Sequence, residues 1–132
     1  MFSPRPLGEK VWAAPQIATQ DLAEIAAMGV RTVINNRPDA EDHGQPTSAE
    51  IEAAVREVGL DYVHAPVMGM PGPEAVRAAI TALEAGELVL MYCRSGTRST
   101  IAWALAMRAL DRAEPDEIRE AAANANIPVV QA

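Results

Sequence analysis

One cysteine stands among 132 residues, so no internal disulfide can staple this chain. Aromatic residues make up only 4% of it, which leaves Ala, Val, Leu, Ile and Met to fill a core. Basic residues are outnumbered, 11 Lys and Arg against 18 Asp and Glu, for a formal net charge of -7. Such an acidic surface repels phosphate backbones and anionic lipid, which excludes nucleic-acid and membrane-surface binding as expectations. No apolar run reaches the length of a bilayer span. The first ten residues carry no apolar signal-peptide core, so a reducing cytoplasm is the expected home of the lone thiol. The two histidines, His43 and His64, lie far apart with no Cys or carboxylate at ligand spacing, and neither metal nor cofactor is expected.

What is present is 49% hydrophobic residues in a chain long enough for one core, read as a single domain over 1–132. Strand-like and helix-like segments alternate. Lys10–Ala13 reads as a first, edge strand ended by Pro15. A helix over 20–28 follows, with Thr19 as N-cap and Gly29 as its stop. Arg31–Asn35 is a buried strand, and Asn36–Pro46 a polar loop. Thr47 or Ser48 caps a helix to Val58, closed by Gly59; Asp61–Ala65 is a strand and Pro66–Pro73 a connecting loop. A helix over 74–85 stops at Gly86, and Leu88–Tyr92 is the most apolar strand, expected at the sheet centre. Ser99–Leu110 reads as a helix apolar nearly all round, packed inside the fold, and Asp116–Asn124 as a last helix opened by Pro115. Residues 125–132 have no assignment. The alternation predicts an α/β fold in three layers: a mostly parallel central sheet with helices on both faces. Ligands in such sheets bind beyond the carboxyl ends of the strands, where Cys93 falls.

The segment Tyr-Cys-Arg-Ser-Gly-Thr-Arg-Ser (92–99) places that cysteine between a strand end and a helix start. A loop in this position turns backbone N–H groups inward as a nest for an anion, and Gly96 permits the tight curl. The helix dipole and nearby guanidinium groups favour a thiolate at Cys93. Arg98 can grip two oxygens of an anion at once. Cys93, Arg98 and Ser99 are therefore the candidate catalytic residues, Ser99 as a donor to the thiolate or the leaving sulfur. Arg94, Ser95, Gly96 and Thr97 are the candidate substrate-binding residues.

This loop resembles the active loop of single-domain rhodaneses. Thr-Val-Ile-Asn-Asn-Arg-Pro-Asp (32–39) and Tyr-Val-His-Ala-Pro-Val (62–67) resemble dual-specificity phosphatases instead. Together, over nearly the whole chain, they resemble the phosphatase-like domain of beta-lactamase-hydrolase-like proteins. The resemblance implies a tyrosine- and dual-specificity-phosphatase-like scaffold with a sulfur-transferring loop. It also implies a persulfide dioxygenase as partner in sulfide detoxification.

Two departures from the phosphatase pattern bear on the cargo. Phosphatases of this kind have five residues between Cys and Arg; here there are four. The smaller ring fits a transferred sulfur more readily than a phosphate ester. Phosphatases also use an Asp acid to protonate the leaving alkoxide, a step worth about 10²–10⁴-fold. Pro66–Pro73, the equivalent loop, has no Asp, Glu or His. The expected activity is thus sulfane-sulfur transfer from thiosulfate or a small persulfide through Cys93. The alternative is phosphomonoester hydrolysis through a Cys93 phospho-enzyme, with Asp39 or Asp42 as a displaced general acid. A third reading, a non-catalytic anion-binding or partner-docking module, leaves the thiol without a use.

The loop holding Asp39, Glu41, Asp42 and His43 is otherwise expected to be a solvated acidic loop, with Arg37 either tying it to the site or, as preferred, in a structural ion pair such as one with Asp39. Trp12 and Trp103 are expected in the core, and Met68 and Met70 as an apolar wall near the cysteine.

Overall fold

A computed structural model describes residues 2–8, 10–112 and 115–124. The unassigned tail, 125–132, lies outside the described residues. The elements are β1 (Arg5–Pro6), β2 (Val11–Ala14), a 3-10 turn (Thr19–Asp21) leading into α1 (Leu22–Ala27), β3 (Thr32–Asn35) and α2 (Ser48–Glu57). They continue with β4 (Asp61–His64), α3 (Pro73–Ala85), β5 (Val89–Tyr92), α4 (Thr97–Ala109) and α5 (Pro115–Asn124). The sheet order is β1-β2-β5-β3-β4, with β5 at the centre. The pairs β2–β5, β5–β3 and β3–β4 are parallel; β1 pairs antiparallel with β2.

Successive residues of a strand point to opposite faces, and β5 divides its four residues accordingly. Val89 and Met91 pack on one side with Ala79, Ala102, Trp103 and Ala106 from α3 and α4. Leu90 and Tyr92 pack on the other with Leu22, Ile25, Ile51 and Val55 from α1 and α2. All four are buried, as expected of a parallel strand covered on both faces.

Three local expectations are corrected. The strand expected at the edge is second in the sheet, because Arg5–Pro6 pairs outside it. Prolines 4 and 6 suit that place, since an edge strand tolerates residues that donate no ladder hydrogen bond. Thr19 does not cap the first helix: the Ala18 amide donates to Asp21 Oδ2 at 2.8 Å, and Thr19 lies within the 3-10 turn. The helix α4 is not enclosed. It buries Ala102, Trp103 and Ala106 and turns Leu105 outward, because a three-layer fold covers only the sheet-facing side of a helix. Thr47, by contrast, does cap α2: its Oγ1 accepts from the Glu50 amide, and Glu50 accepts from the Thr47 amide in return.

Candidate active site

The register of the parallel strands sets the site. Ala14, Tyr92, Asn35 and His64 lie side by side at the carboxyl ends of β2, β5, β3 and β4. The ladder runs one residue further. The Cys93 amide donates to Ala14 O at 3.3 Å, the Asn36 amide to Tyr92 O at 2.8 Å and the Ala65 amide to Asn35 O at 2.9 Å. Cys93 and Asn36 thus start from neighbouring points on the same sheet edge.

From Cys93 the chain curls through Arg94, Ser95 and Gly96 into α4. Gly96 has φ 96°, in the left-handed region where a side chain would be strained, and it precedes the first residue of the helix. The curl brings the Gly96 amide to donate to Cys93 Sγ at 3.1 Å. The Gly96 carbonyl accepts from the Thr100 amide at 3.0 Å and from Thr100 Oγ1 at 2.9 Å, which pins the loop to the helix. Cys93 and Gly96 are buried, Arg94 and Ser95 are exposed, and Thr97 and Arg98 are half-buried. Ser95 Oγ donates to Thr97 Oγ1 at 3.2 Å.

Ser99 does not donate to the sulfur. Its hydroxyl donates to Asn36 Oδ1 at 2.8 Å, and Asn36 Nδ2 donates to Ala65 O at 2.9 Å. Both side chains are fully buried. A buried amide and hydroxyl need partners, and here each satisfies the other while bracing α4 against β3 and β4.

The loop after β3 departs furthest from expectation. Arg37 is only 3% exposed and does not pair with Asp39. Its Nε donates to Glu41 Oε1 at 2.9 Å, its Nη1 to Gln16 Oε1 at 2.9 Å and its Nη2 to Asp42 Oδ2 at 2.7 Å. Asp39 Oδ1 instead accepts from the Ser48 amide at 2.7 Å, at the positive end of α2. Asp42 also pairs with Arg94 Nε at 3.1 Å. Far from being merely solvated, this loop reaches the cysteine loop through Glu41. Arg98 donates from Nη1 to Glu41 Oε2 at 2.6 Å and from Nη2 to Glu41 Oε1 at 2.7 Å. The Arg98 Nη1 group also donates to Val67 O at 2.7 Å. The segment carrying Met68 and Met70 therefore adjoins the site, and both methionines are exposed.

These contacts fix charge states. The hydrogen bond from Arg98 holds the Glu41 carboxyl down to about 2; partial burial opposes this, and Arg37 adds to it. Donating that hydrogen bond to Glu41 keeps Arg98 charged above its ordinary range, against partial burial and with help from the nearby Cys93 sulfur. Glu41 is thus an acceptor in any ordinary buffer and holds no proton to give. The sequence pattern did not single it out. Its signal was the four-residue spacing from Arg37, which cannot reveal a partner 57 residues away. Among the described residues, no group of three or more His, Cys, Asp or Glu could hold a metal ion, and no helix is long and apolar enough to cross a membrane.

The mostly parallel sheet, with a buried cysteine after its central strand, a glycine turn and an arginine on the next helix, has a tyrosine- and dual-specificity-phosphatase-like fold, as solved structures show. Tk-PTP in its active form, 19% identical, superposes with a TM-score of 0.77 over 98% of this chain and 88% of that one. A candidate phosphatase from Neisseria meningitidis is 31% identical, with a TM-score of 0.77 over 93% of this chain and 88% of that one. The chain belongs to the beta-lactamase hydrolase-like protein, phosphatase-like domain family, which it matches over residues 4–110. The beta-lactamase hydrolase-like proteins of Xylella fastidiosa strain Temecula1 and Agrobacterium fabrum are 35% and 34% identical over 85% and 75% of the chain. These matches take in 26% and 23% of those relatives, so the chain spans about a quarter of their length.

Proposed function

We propose that this phosphatase-like domain is a sulfurtransferase that carries sulfane sulfur as a persulfide on Cys93. One observation carries the reading: the carboxylates beside the cysteine loop are committed as acceptors. Glu41 is held ionised by two arginines, Asp39 accepts from the start of α2, and Asp42 pairs with Arg37 and Arg94. Phosphate-ester hydrolysis needs a proton for its leaving alkoxide, whereas sulfite and thiolates leave without one. The four-residue spacing between Cys93 and Arg98 favours the same cargo.

In the first half-reaction the Cys93 thiolate attacks the outer sulfur of thiosulfate. A new S–S bond forms, the thiosulfate S–S bond breaks, and sulfite leaves with the electron pair. In the second, cyanide or an acceptor thiolate takes the outer sulfur and the Cys93 thiolate is restored. The Gly96 amide and Arg98 stabilise negative charge at the sulfur and the donor, and Arg94, Ser95 and Thr97 form the rim an anion meets first. A reducing compartment would keep the thiol active, and a persulfide dioxygenase is the partner we propose, since it would consume the persulfide produced.

Phosphomonoester hydrolysis is the second reading, and the comparisons favour it. The family is phosphatase-like, and the Neisseria relative was solved as a candidate phosphatase. A parallel assay of wild type and Cys93→Ser separates the two. Cysteine-dependent thiocyanate formation from thiosulfate and cyanide supports sulfur transfer; aryl-phosphate turnover of comparable efficiency overturns it.

A further inference from the structure

We propose that Glu41, anchored by Arg37, is a positioning residue that aims the anion-binding edge of Arg98 at Cys93. The inference rests on the thiolate reading of Cys93 but not on the choice between sulfur and phosphate. A guanidinium has five N–H donors in one plane. Glu41 takes one from each terminal nitrogen of Arg98, and Val67 O takes the second on Nη1. Nε–H and the other Nη2–H lie side by side as a fork that fits two oxygens of an anion, on a guanidinium that the adjoining Cys93 sulfur helps to keep charged. The carboxylate therefore grips the end of the guanidinium and leaves its side for substrate.

A gate that blocks the site by mimicking substrate would need freedom to leave, and Glu41 is tied on its far side. Oε1 also accepts from Arg37 Nε, and Arg37 is locked by Gln16, Asp42 and the sheet. The Arg37 amide donates to Asn35 Oδ1 at 2.8 Å, and its carbonyl lies 2.9 Å from His64 Nε2. The orientation of Arg98 is thereby referred to the ends of β3 and β4. Without Glu41 a long arginine side chain regains its rotamer freedom and loses the plane in which both remaining donors face one anion.

Alkylation of Cys93 by iodoacetate and by iodoacetamide tests this without reference to cargo. In both, the thiolate forms an S–C bond and iodide leaves with the electron pair of the broken C–I bond; the reagents differ only in charge. Wild type should prefer iodoacetate, and absence of that preference would overturn the anion-nest reading itself. Glu41→Gln should lower the iodoacetate-to-iodoacetamide rate ratio about tenfold, the scale of one charge-assisted hydrogen bond. Arg37→Gln, which leaves Glu41 unanchored, should lower the ratio about threefold, on the scale of a weaker bond. Glu52→Gln, which removes an equal charge from the exposed Glu52–Arg56 pair on α2, should leave the ratio unchanged. An unchanged ratio in Glu41→Gln and Arg37→Gln overturns the proposal, and a raised ratio assigns Glu41 to a gate. Unfolding is recognised because exposure of the buried Cys93 raises the iodoacetamide rate; the ratio in whichever variant stays folded then decides.

Discussion

Two loops leave adjacent parallel strands and bring opposite charge to one point. The segment from Cys93 to Ser99 presents donors: the Gly96 amide on the sulfur and the guanidinium of Arg98. The loop from Asn36 to Pro46 presents acceptors, Glu41 to Arg98 and Asp42 to Arg94. Each holds its shape through short-range contacts, Gly96 to Cys93 and Thr100 to Gly96 in the first, Arg37 to Glu41 and Asp42 and Gln45 to Pro38 in the second. The difference explains how an acidic chain keeps a site for an anion. Local positive charge is in excess there, because three arginines, Arg37, Arg94 and Arg98, share the two carboxylates of Glu41 and Asp42. Attraction comes from that surplus and from where the remaining donors point.

Changes in the first loop should break activity, and changes in the second should grade it. Cys93→Ser should have the largest effect, reducing transfer to the uncatalysed background in a thiocyanate assay while leaving the melting temperature near wild type. Arg98→Lys keeps the charge but loses the fork, and kcat/KM should fall on the order of a hundredfold. A tenfold or smaller loss would mean that Arg98 acts as a point charge.

The acidic loop should show itself in stability as well. Glu41 sits at about 2 when folded against an ordinary 4.5, so the unfolded chain binds its proton more tightly. Its contribution is then full above about pH 4.5 and lost as pH falls toward 2. Urea titrations of wild type and Glu41→Gln should therefore diverge above pH 4.5 and converge near pH 2; parallel curves would break the Arg98–Glu41 pairing. The smallest effect is at the far end of that loop, where Thr47→Ala should cost about 1 kcal/mol of stability as a lost helix cap. Transfer activity should not change, and a loss of activity there would mean that the α2 cap and the site are coupled.

The fold was legible in the sequence because the buried strands ended at turn signals and α1, α2 and α3 each ran into a glycine, Gly29, Gly59 and Gly86. The central place of Leu88–Tyr92 followed from its apolar run, and the phosphatase-like scaffold from the segments at 32–39 and 62–67. The outer strand at Arg5–Pro6 was not legible, since two residues among prolines carry no periodicity. At the site, the contacts inside the Cys93–Ser99 loop are local, and spacing predicts a curl of that kind. Ser99 was misassigned because its partner, Asn36, lies 63 residues away. Glu41 was hidden among three other polar residues of one loop. Contacts inside the loop bring it, rather than Asp39, to Arg98: Arg37 holds Glu41, while Asp39 is taken by the Ser48 amide.

Intact-protein mass spectrometry of the domain after brief exposure to thiosulfate or glutathione persulfide tests the central claim most directly. The account predicts a gain of about 32 Da, one sulfur atom, on Cys93, absent from Cys93→Ser and removed by cyanide. Failure of the wild-type protein to gain sulfur, together with cysteine-dependent turnover of an aryl phosphate, would contradict it.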